Sequence, residues 1–376
     1  MEVYIWGTGE LAQTCMEDLV PGVHVLGFVE SAPGKKEFCG KKVIAGSAVA
    51  DTSYDYMILA NSHEDEIIKN FLLDEKRTVC YRMELENGED GAITFRRNNP
   101  GLLDELFQSQ RKLEVTELAR DVMPCISLQL EHVKFIFDHN DNLIPNEMIG
   151  YGKVYSKDEM CFFYEMAPKM EGGFFLDIGA NVGTTSIYFK KNICGSLKYI
   201  AFEPLKENYK YLKMNCILND CEDIKAENIG MSNTDGQKRM FVFDGAFGSS
   251  MVSDGKEASD LCEFMSLDQY IQRNQLSADD IGYLWVDVQC HELEVLEGAK
   301  KTLTDSRASL FIEFNVGVYR EEGKCEKFLG ILKDIYSKFI CYEQYANGRK
   351  EVRAIEELFE LPKEINAPFC NILLMK

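Results

Sequence analysis

The chain has 376 residues, 45% hydrophobic and 27% charged, the balance of a globular protein with a sizeable core and a length suited to two domains and a connector. Its 41 Lys and Arg stand against 62 Asp and Glu, a formal net charge of −21, and a surface that acidic repels phosphate backbones and anionic lipid, which argues against nucleic-acid or membrane-surface binding as the main task. No run approaches the ~18 apolar residues of a membrane-spanning helix, and Met1-Glu2-Val3-Tyr4-Ile5-Trp6-Gly7 reads as a strand, without the basic segment of a signal peptide.

Residues 1–83 alternate strand and helix patterns. Val3–Trp6 is a β-branched and aromatic run, followed by Gly7-Thr8-Gly9-Glu10-Leu11-Ala12 and a helical stretch to Leu19. Val23–Glu30 is a second strand ending in an acid. Lys42–Ala45 and Tyr54–Ala60 follow, then a helix over Glu64–Leu73 and a strand at Thr78–Arg82. The alternation predicts a parallel sheet covered on both faces, a smaller N-terminal Rossmann-like α/β domain.

Residues 84–150 read as a helical connector. A polar, Gly-bearing boundary at 84–96 precedes Leu102, Leu103, Leu106, Leu113 and Leu118, spaced for an amphipathic helix over 101–119. Val133–Phe137 and Leu143–Pro145 predict a hairpin around Asp138-His139-Asn140-Asp141-Asn142.

Residues 151–376 alternate more regularly. Strands are expected at Phe174–Ile178, Tyr199–Glu203, Ile224–Ile229, Tyr283–Val288 and Leu310–Phe314, with helices at Gly183–Asn192, Lys206–Leu218, Glu292–Leu303 and Lys324–Tyr336. Phe339–Glu343 and Phe369–Leu374 close the chain as strands, and a strand pair is expected around Arg239–Phe243. There is no repeat of 20–50 residues. The thirteen cysteines form no C-x-x-C pair, and the five histidines, at 24, 63, 132, 139 and 291, show no ligand spacing with them. No metal site is expected, and the thiols read as the reduced core residues of a cytoplasmic protein.

The sharpest constellation is Phe174-Phe175-Leu176-Asp177-Ile178-Gly179-Ala180-Asn181-Val182-Gly183, a buried strand running into a glycine-bearing turn and a helix. Gly179 and Gly183 let a ligand approach the backbone and the helix pack on the strand. Asp177 sets this loop apart from a dinucleotide site: a carboxylate suits an ammonium or sulfonium ligand, not a pyrophosphate. Glu203, twenty-six positions on, ends the next strand, where an acid accepts hydrogen bonds from both hydroxyls of a ribose. An amino-acid end at Asp177 and a ribose at Glu203 describe S-adenosylmethionine. The alternative is that Asp177 caps a helix and Glu203 is a surface acid.

Over roughly residues 150–376 the chain resembles the FkbM family of S-adenosylmethionine-dependent methyltransferases. The resemblance rests on Phe175–Gly183, on Ala201-Phe202-Glu203-Pro204, on Ser266-Leu267-Asp268, on the stretch Val286-Asp287-Val288-Gln289-Cys290-His291-Glu292 through Ala299, and on Phe311-Ile312-Glu313. It implies a class I methyltransferase domain, with a seven-stranded, mostly parallel Rossmann-like sheet, one strand antiparallel, and methyl transfer to a hydroxyl oxygen. The departures lie in the fourth block, where the family commonly has Asp-Val-Glu-Gly-Ala-Glu. Here Cys290 replaces a glycine and His291 a small or apolar residue, adding bulk where the acceptor approaches.

Methyl transfer from a sulfonium is an in-line displacement, so positioning carries much of the catalysis, and a hydroxyl acceptor must also lose its proton. His291, beside Asp287, is the candidate base; a cap at the helix start is the alternative. Asp287 is read as a catalytic or cofactor contact. Candidate cofactor residues are Asp177, Gly179, Asn181, Gly183, Glu203 and Asn228, the last either facing the adenine edge or an ordinary loop amide. Ser249 and Ser250 would line the acceptor pocket or form a turn, and Phe162-Phe163-Tyr164 would wall the cofactor or fill the core.

In the N-terminal half, Gly7-x-Gly9-x-x-Ala12 after a strand, with Glu30 ending the next, fits a dinucleotide fingerprint. It also fits a nucleotide-type fold without that ligand. The reading is thus an S-adenosylmethionine-dependent O-methyltransferase at 151–376, acting on a saccharide or other small-molecule hydroxyl, with an accessory domain at 1–83 and oligomerisation left open. Two rivals stand: an NAD-dependent sugar oxidoreductase using Gly7, Gly9, Ala12 and Glu30, and a non-catalytic assembly module.

Overall fold

Strand side chains alternate between faces, and the first eighty residues exploit this on both sides of one sheet. In the computed structural model, β1 (Glu2–Trp6), β2 (His24–Glu30), β3 (Glu37–Phe38), β4 (Lys41–Ala45), β5 (Tyr56–Leu59) and β6 (Thr78–Cys80) lie in the order β3-β4-β2-β1-β5-β6. All pairings are parallel except β3 with β4. Val3, Ile5, Phe28 and Ile58 pack with Ala12 and Cys15 of the helix Glu10–Glu17 on one face. Tyr4, Trp6, Val29 and Met57 pack with Ile67 of the helix Glu64–Phe71 on the other. Both faces of the central strands β1, β2 and β5 are covered, so their middles are apolar, while the edge pair β3 and β4 carries Glu37, Lys41 and Lys42 and is partly exposed.

The structure describes residues 1–60, 64–71, 73–74, 77–81, 84–87, 93–96, 106–107, 116–118, 125–243, 245–253, 260–365 and 367–376. The chain folds as two units, Met1–Glu117 with Ile144–Lys153, and Leu118–Leu143 with Val154–Lys376. Among its described residues, the stretch read as a helical connector holds strands at Glu84–Asn87, Ile93–Arg96, Thr116–Leu118, Cys125–Leu130 and Val133–Asp138, and a helix at Ile144–Tyr151. The helix expected over 101–119 lies largely outside the described residues. The hairpin forms with a different partner: Val133–Asp138 pairs antiparallel with Cys125–Leu130, turning at Glu131 (φ +53°). Leu143–Pro145 opens a helix instead, because proline near a helix start gives up no intrahelical bond.

The second unit is built on β7 (Phe174–Ile178), β8 (Lys198–Phe202), β9 (Lys225–Glu227), β10 (Ile281–Val286), β11 (Ser309–Phe314), β12 (Lys338–Cys341), β13 (Arg353–Ala354) and β14 (Cys370–Met375). Their order is β9-β8-β7-β10-β11-β14-β12-β13. β14 runs antiparallel to both neighbours, and the two-residue β13 is antiparallel to β12. The sheet therefore has eight strands where seven were expected, the extra one being the short edge strand β13.

The strand pair expected near Arg239 belongs to a four-stranded sheet, Gly230–Met231, Asp260–Met265, Gly236–Phe241 and Met251–Val252 in that order. The helix expected over Glu292–Leu303 breaks at Ala299 into Glu292–Gly298 and Lys300–Asp305. Among the described residues, no helix is long and apolar enough to cross a membrane.

Candidate functional site

The chain lays β8 and β9 on one side of β7, then crosses to lay β10 on the other. Loops diverge where the order reverses, and a crevice opens at the carboxyl ends. It is a partly open cleft lined by residues from several loops. Gly179 and Asn181 after β7, Glu203 after β8, and Asp287, Gln289 and His291 after β10 line it, with Met240, Val252 and Phe264 of the four-stranded sheet as an apolar wall.

Gly179 has φ +91°, and a Cβ there would stand 1.8 Å from the carbonyl oxygen of Asp287, so only glycine lets the β7 and β10 loops meet. Gly183 (φ +89°) does the same beside Leu212 but does not line the cleft.

Glu203 is the most constrained acid in the cleft. Its Oε2 accepts the N–H of Asn181 at 2.9 Å and its Oε1 the N–H of Leu205 at 2.8 Å, and Asn208 adds a side-chain bond. A carboxylate offers about four lone-pair positions, so these three donors leave one free on a residue that lines the cleft. Burial pushes its pKa up to about 7 against these bonds, which hold it down. Asn181 has φ +49°, and its Oδ1 is buried and meets no donor among the described residues. A buried unpaired acceptor costs about 1–3 kcal/mol, which a ligand donor would recover.

Asp177 does not reach the cleft. Its Oδ2 accepts from Ser186 N at 3.1 Å and Ser186 Oγ at 2.5 Å, tying the strand end to the helix that starts at Thr184. Burial, with Asp287 adding charge repulsion, raises it to about 7 despite the Ser186 bonds. Through Oδ2, Asp177 anchors the first turn of that helix. Asn228 is exposed and donates to the carbonyls of Glu203 and Pro204, both at 2.9 Å, outside the cleft lining.

His291 lines the cleft and occupies the position before the helix Glu292–Gly298, without a side-chain capping bond. Its Nε2 lies 2.9 Å from Ser232 Oγ and its Nδ1 3.6 Å from Glu294 Oε2, with Phe264 edge-on to the ring. Burial, with Lys238 and Lys324 adding repulsion, lowers its pKa to about 4. The lowered pKa favours the neutral imidazole at pH 7, with Nε2 engaged by Ser232 and Nδ1 beyond hydrogen-bond distance of Glu294. Asp287 also lines the cleft. Its Oδ1 accepts from Gln289 Nε2 at 2.7 Å, and burial raises its pKa.

Glu292 is fully buried and organises the turn after β10. Its Oε1 accepts the N–H groups of Val288 and Cys290, both at 3.2 Å, and its Oε2 accepts from Tyr319 Oη at 2.8 Å. It holds Gln289 (φ +51°) and Cys290 (φ +70°) in left-handed backbone, which accounts for the glycine of the related pattern at Cys290. Glu313, at the end of β11, is pushed up to about 9 by burial and by Asp287, Glu292 and Glu343.

Ser250 lines the cleft and also closes a turn, donating to Phe247 O at 2.8 Å; Ser249 does not line it. Phe162 and Phe163 are core residues, Phe163 packing on Phe175, Tyr283 and Phe311. Asn208 and the apolar wall were not anticipated. Asn208 follows Glu203-Pro204 in the first turn of a helix, the one signal that pointed to it.

Residues 177–339 match the family described as Methyltransferase FkbM domain, and residues 1–77 match C2185-like, N-terminal. Methyltransferase sdnD of Sordaria araneosa is 28% identical over 165 residues, covering 36% of this chain. The match spans 63% of that relative's length, less than two thirds. The crystal structure of Methyltransferase FkbM from Methylobacillus flagellatus KT is similar at 12% identity and a TM-score of 0.37, over 99% of this chain and 89% of that one. P. horikoshii TYW2 in complex with MeSAdo is similar at 13% identity and a TM-score of 0.35, over 66% of this chain and 69% of that one.

Proposed function

We propose that residues 151–376 form an S-adenosylmethionine-dependent methyltransferase domain of class I type that methylates a hydroxyl oxygen on a saccharide or secondary metabolite, with residues 1–83 as an accessory domain. The observation that carries this is the pairing of Glu203 with Asn181 at the switch point of the sheet, inside the stretch that matches the FkbM methyltransferase domain. The residues present fit the cofactor. Glu203 keeps an acceptor position for ribose hydroxyls, the orphaned Asn181 Oδ1 offers an acceptor for an ammonium, and Met231, Met240 and Phe264 give an apolar face for a flat base.

When bound, S-adenosylmethionine supplies an electrophilic methyl group on a sulfonium. The chain's own residues do the rest. Asp177 fixes the loop by holding Ser186, and Glu203 ties that loop to the tip of β8, so the acceptors stand in place before a ligand arrives. Asp287 is the group we assign to take the acceptor hydroxyl's proton: it lines the cleft, and burial makes its carboxylate a stronger base than in water. His291, its pKa lowered by burial and its Nε2 held by Ser232, serves as a wall and a pin for the turn.

In the first unit the Glu30 carboxylate, the acid on which the NAD-dependent alternative rests, accepts from the Thr8 hydroxyl and from Gly34 N at 2.9 Å. The test is methyl-labelled S-adenosylmethionine offered with separate panels of sugar or alcohol hydroxyls and of amines. Label in an ether, lost in Asp287→Asn, supports the proposal. Label found only in amines contradicts the oxygen assignment.

A further inference from the structure

We infer that Cys341, Cys370 and Glu343 form a binding site for a thiophilic divalent cation of zinc's type, at the carboxyl edge of β12 and outside the cleft. Cys341 ends β12 and stands opposite Ile372 of β14, which puts Cys370, two residues earlier, on the same sheet face. The two sulfurs and the Glu343 carboxylate lie within 4.8 Å of one another, and Cys341 Sγ is 3.4 Å from Glu343 Oε2. A tetrahedral zinc, at about 2.3 Å from sulfur and about 2.0 Å from oxygen, needs its ligand atoms ~3.5–3.8 Å apart. Small side-chain rotations close the remaining gap.

Two further observations distinguish this cluster from ordinary core cysteines. Both thiols are buried, Cys341 at 2% and Cys370 at 0% exposure, while Glu343 is half-buried and leaves that side of the cluster open to water. The carboxylate is already aimed: Asn371 N donates to its two oxygens at 2.9 and 3.0 Å, and Asn371 Nδ2 to Oε1 at 3.2 Å. Such outer bonds orient a metal ligand before the metal arrives. Binding would displace one proton from each thiol to solvent and leave the fourth position of the tetrahedron to water. The cation would join the end of β12, the helix Tyr342–Ala346 and the start of β14. The two cysteines are too far apart in sequence for any ligand-spacing pattern to reveal them.

The test is titration of the reduced full-length chain with cobalt(II). One equivalent is expected to produce thiolate-to-cobalt charge-transfer absorption that zinc abolishes by displacement. Cys341→Ser and Cys370→Ser should each roughly halve it, and Glu343→Gln should keep it with affinity reduced tenfold or more. Absence of the band in the wild type, or an undiminished band in the serine variants, would overturn the proposal. If the serine variants do not fold, zinc-edge X-ray absorption of the loaded wild type decides. Two sulfur neighbours support the site, and none or four contradict it.

Discussion

The backbone N–H of Asn181 donates to Glu203 Oε2 at 2.9 Å, so the loop after β7 and the tip of β8 are joined at the cleft by one carboxylate. Asn181 leaves its own side-chain oxygen buried without a donor. An unpaired acceptor burdens the ligand-free protein and benefits only a ligand. In Asn181→Gly, which also tolerates φ +49°, the ligand-free melting temperature is expected not to fall, while S-adenosylmethionine binds at least tenfold more weakly. A fall in melting temperature with unchanged binding would show that the amide is structural.

His291 gives a pH-dependent prediction. Its pKa is lowered from an ordinary 6.5 to about 4, so between those values the unfolded chain binds the proton that the native state refuses. Its contribution to stability is therefore present near pH 7 and lost as pH falls through 6.5 toward 4. Asp177, Glu203 and Glu292, each raised to about 7, act in the opposite sense: the native state keeps protons the unfolded chain releases, so they cost stability as pH rises from about 4 to 7. Comparing wild type with His291→Asn isolates the histidine. Denaturant unfolding should show the wild type's advantage smaller by about 2 kcal/mol at pH 5 than at pH 7. An advantage that does not change with pH would mean the ring is not held neutral.

The turn after β10 hangs on Glu292 and Tyr319. Removing the hydroxyl in Tyr319→Phe leaves a buried carboxylate short of one donor, at a cost of about 1–3 kcal/mol. Neither residue lines the cleft, so affinity for S-adenosylmethionine should change less than threefold. Thermal unfolding and calorimetry on the same preparation separate the two effects.

Cys290 sits at φ +70°, a region that suits glycine and penalises a β-branched residue most. Cys290→Gly is expected to hold or raise stability, by up to about 1 kcal/mol, and Cys290→Val to lower it by about 2 kcal/mol. Equal melting temperatures for the two variants would show that this turn carries no strain.

The parts of the fold legible in the sequence were those with a strong local period. The apolar runs at Val3–Trp6, Phe174–Ile178 and Leu310–Phe314 are strands buried on both faces, and nothing competes with that pattern. The hairpin was misassigned because Leu143–Pro145 is apolar and short, and the pairing of Val133–Asp138 was decided by the left-handed turn at Glu131, which a lone glutamate does not announce. At the site, Glu203 was readable from its place at a strand tip. Asp177 was readable as an acid, but its hold on Ser186 nine residues on shows only in the fold. Met240 and Phe264 enter from a separate sheet, and no local pattern ties them to the loop after β7.

The most direct measurement is calorimetric titration of S-adenosylmethionine into the wild-type chain and into Glu203→Ala. Micromolar binding to the wild type, weakened at least a hundredfold in a variant that remains folded, is the predicted result. No binding to the wild type, or equal binding to both, would contradict a cofactor site built on Glu203 and Asn181.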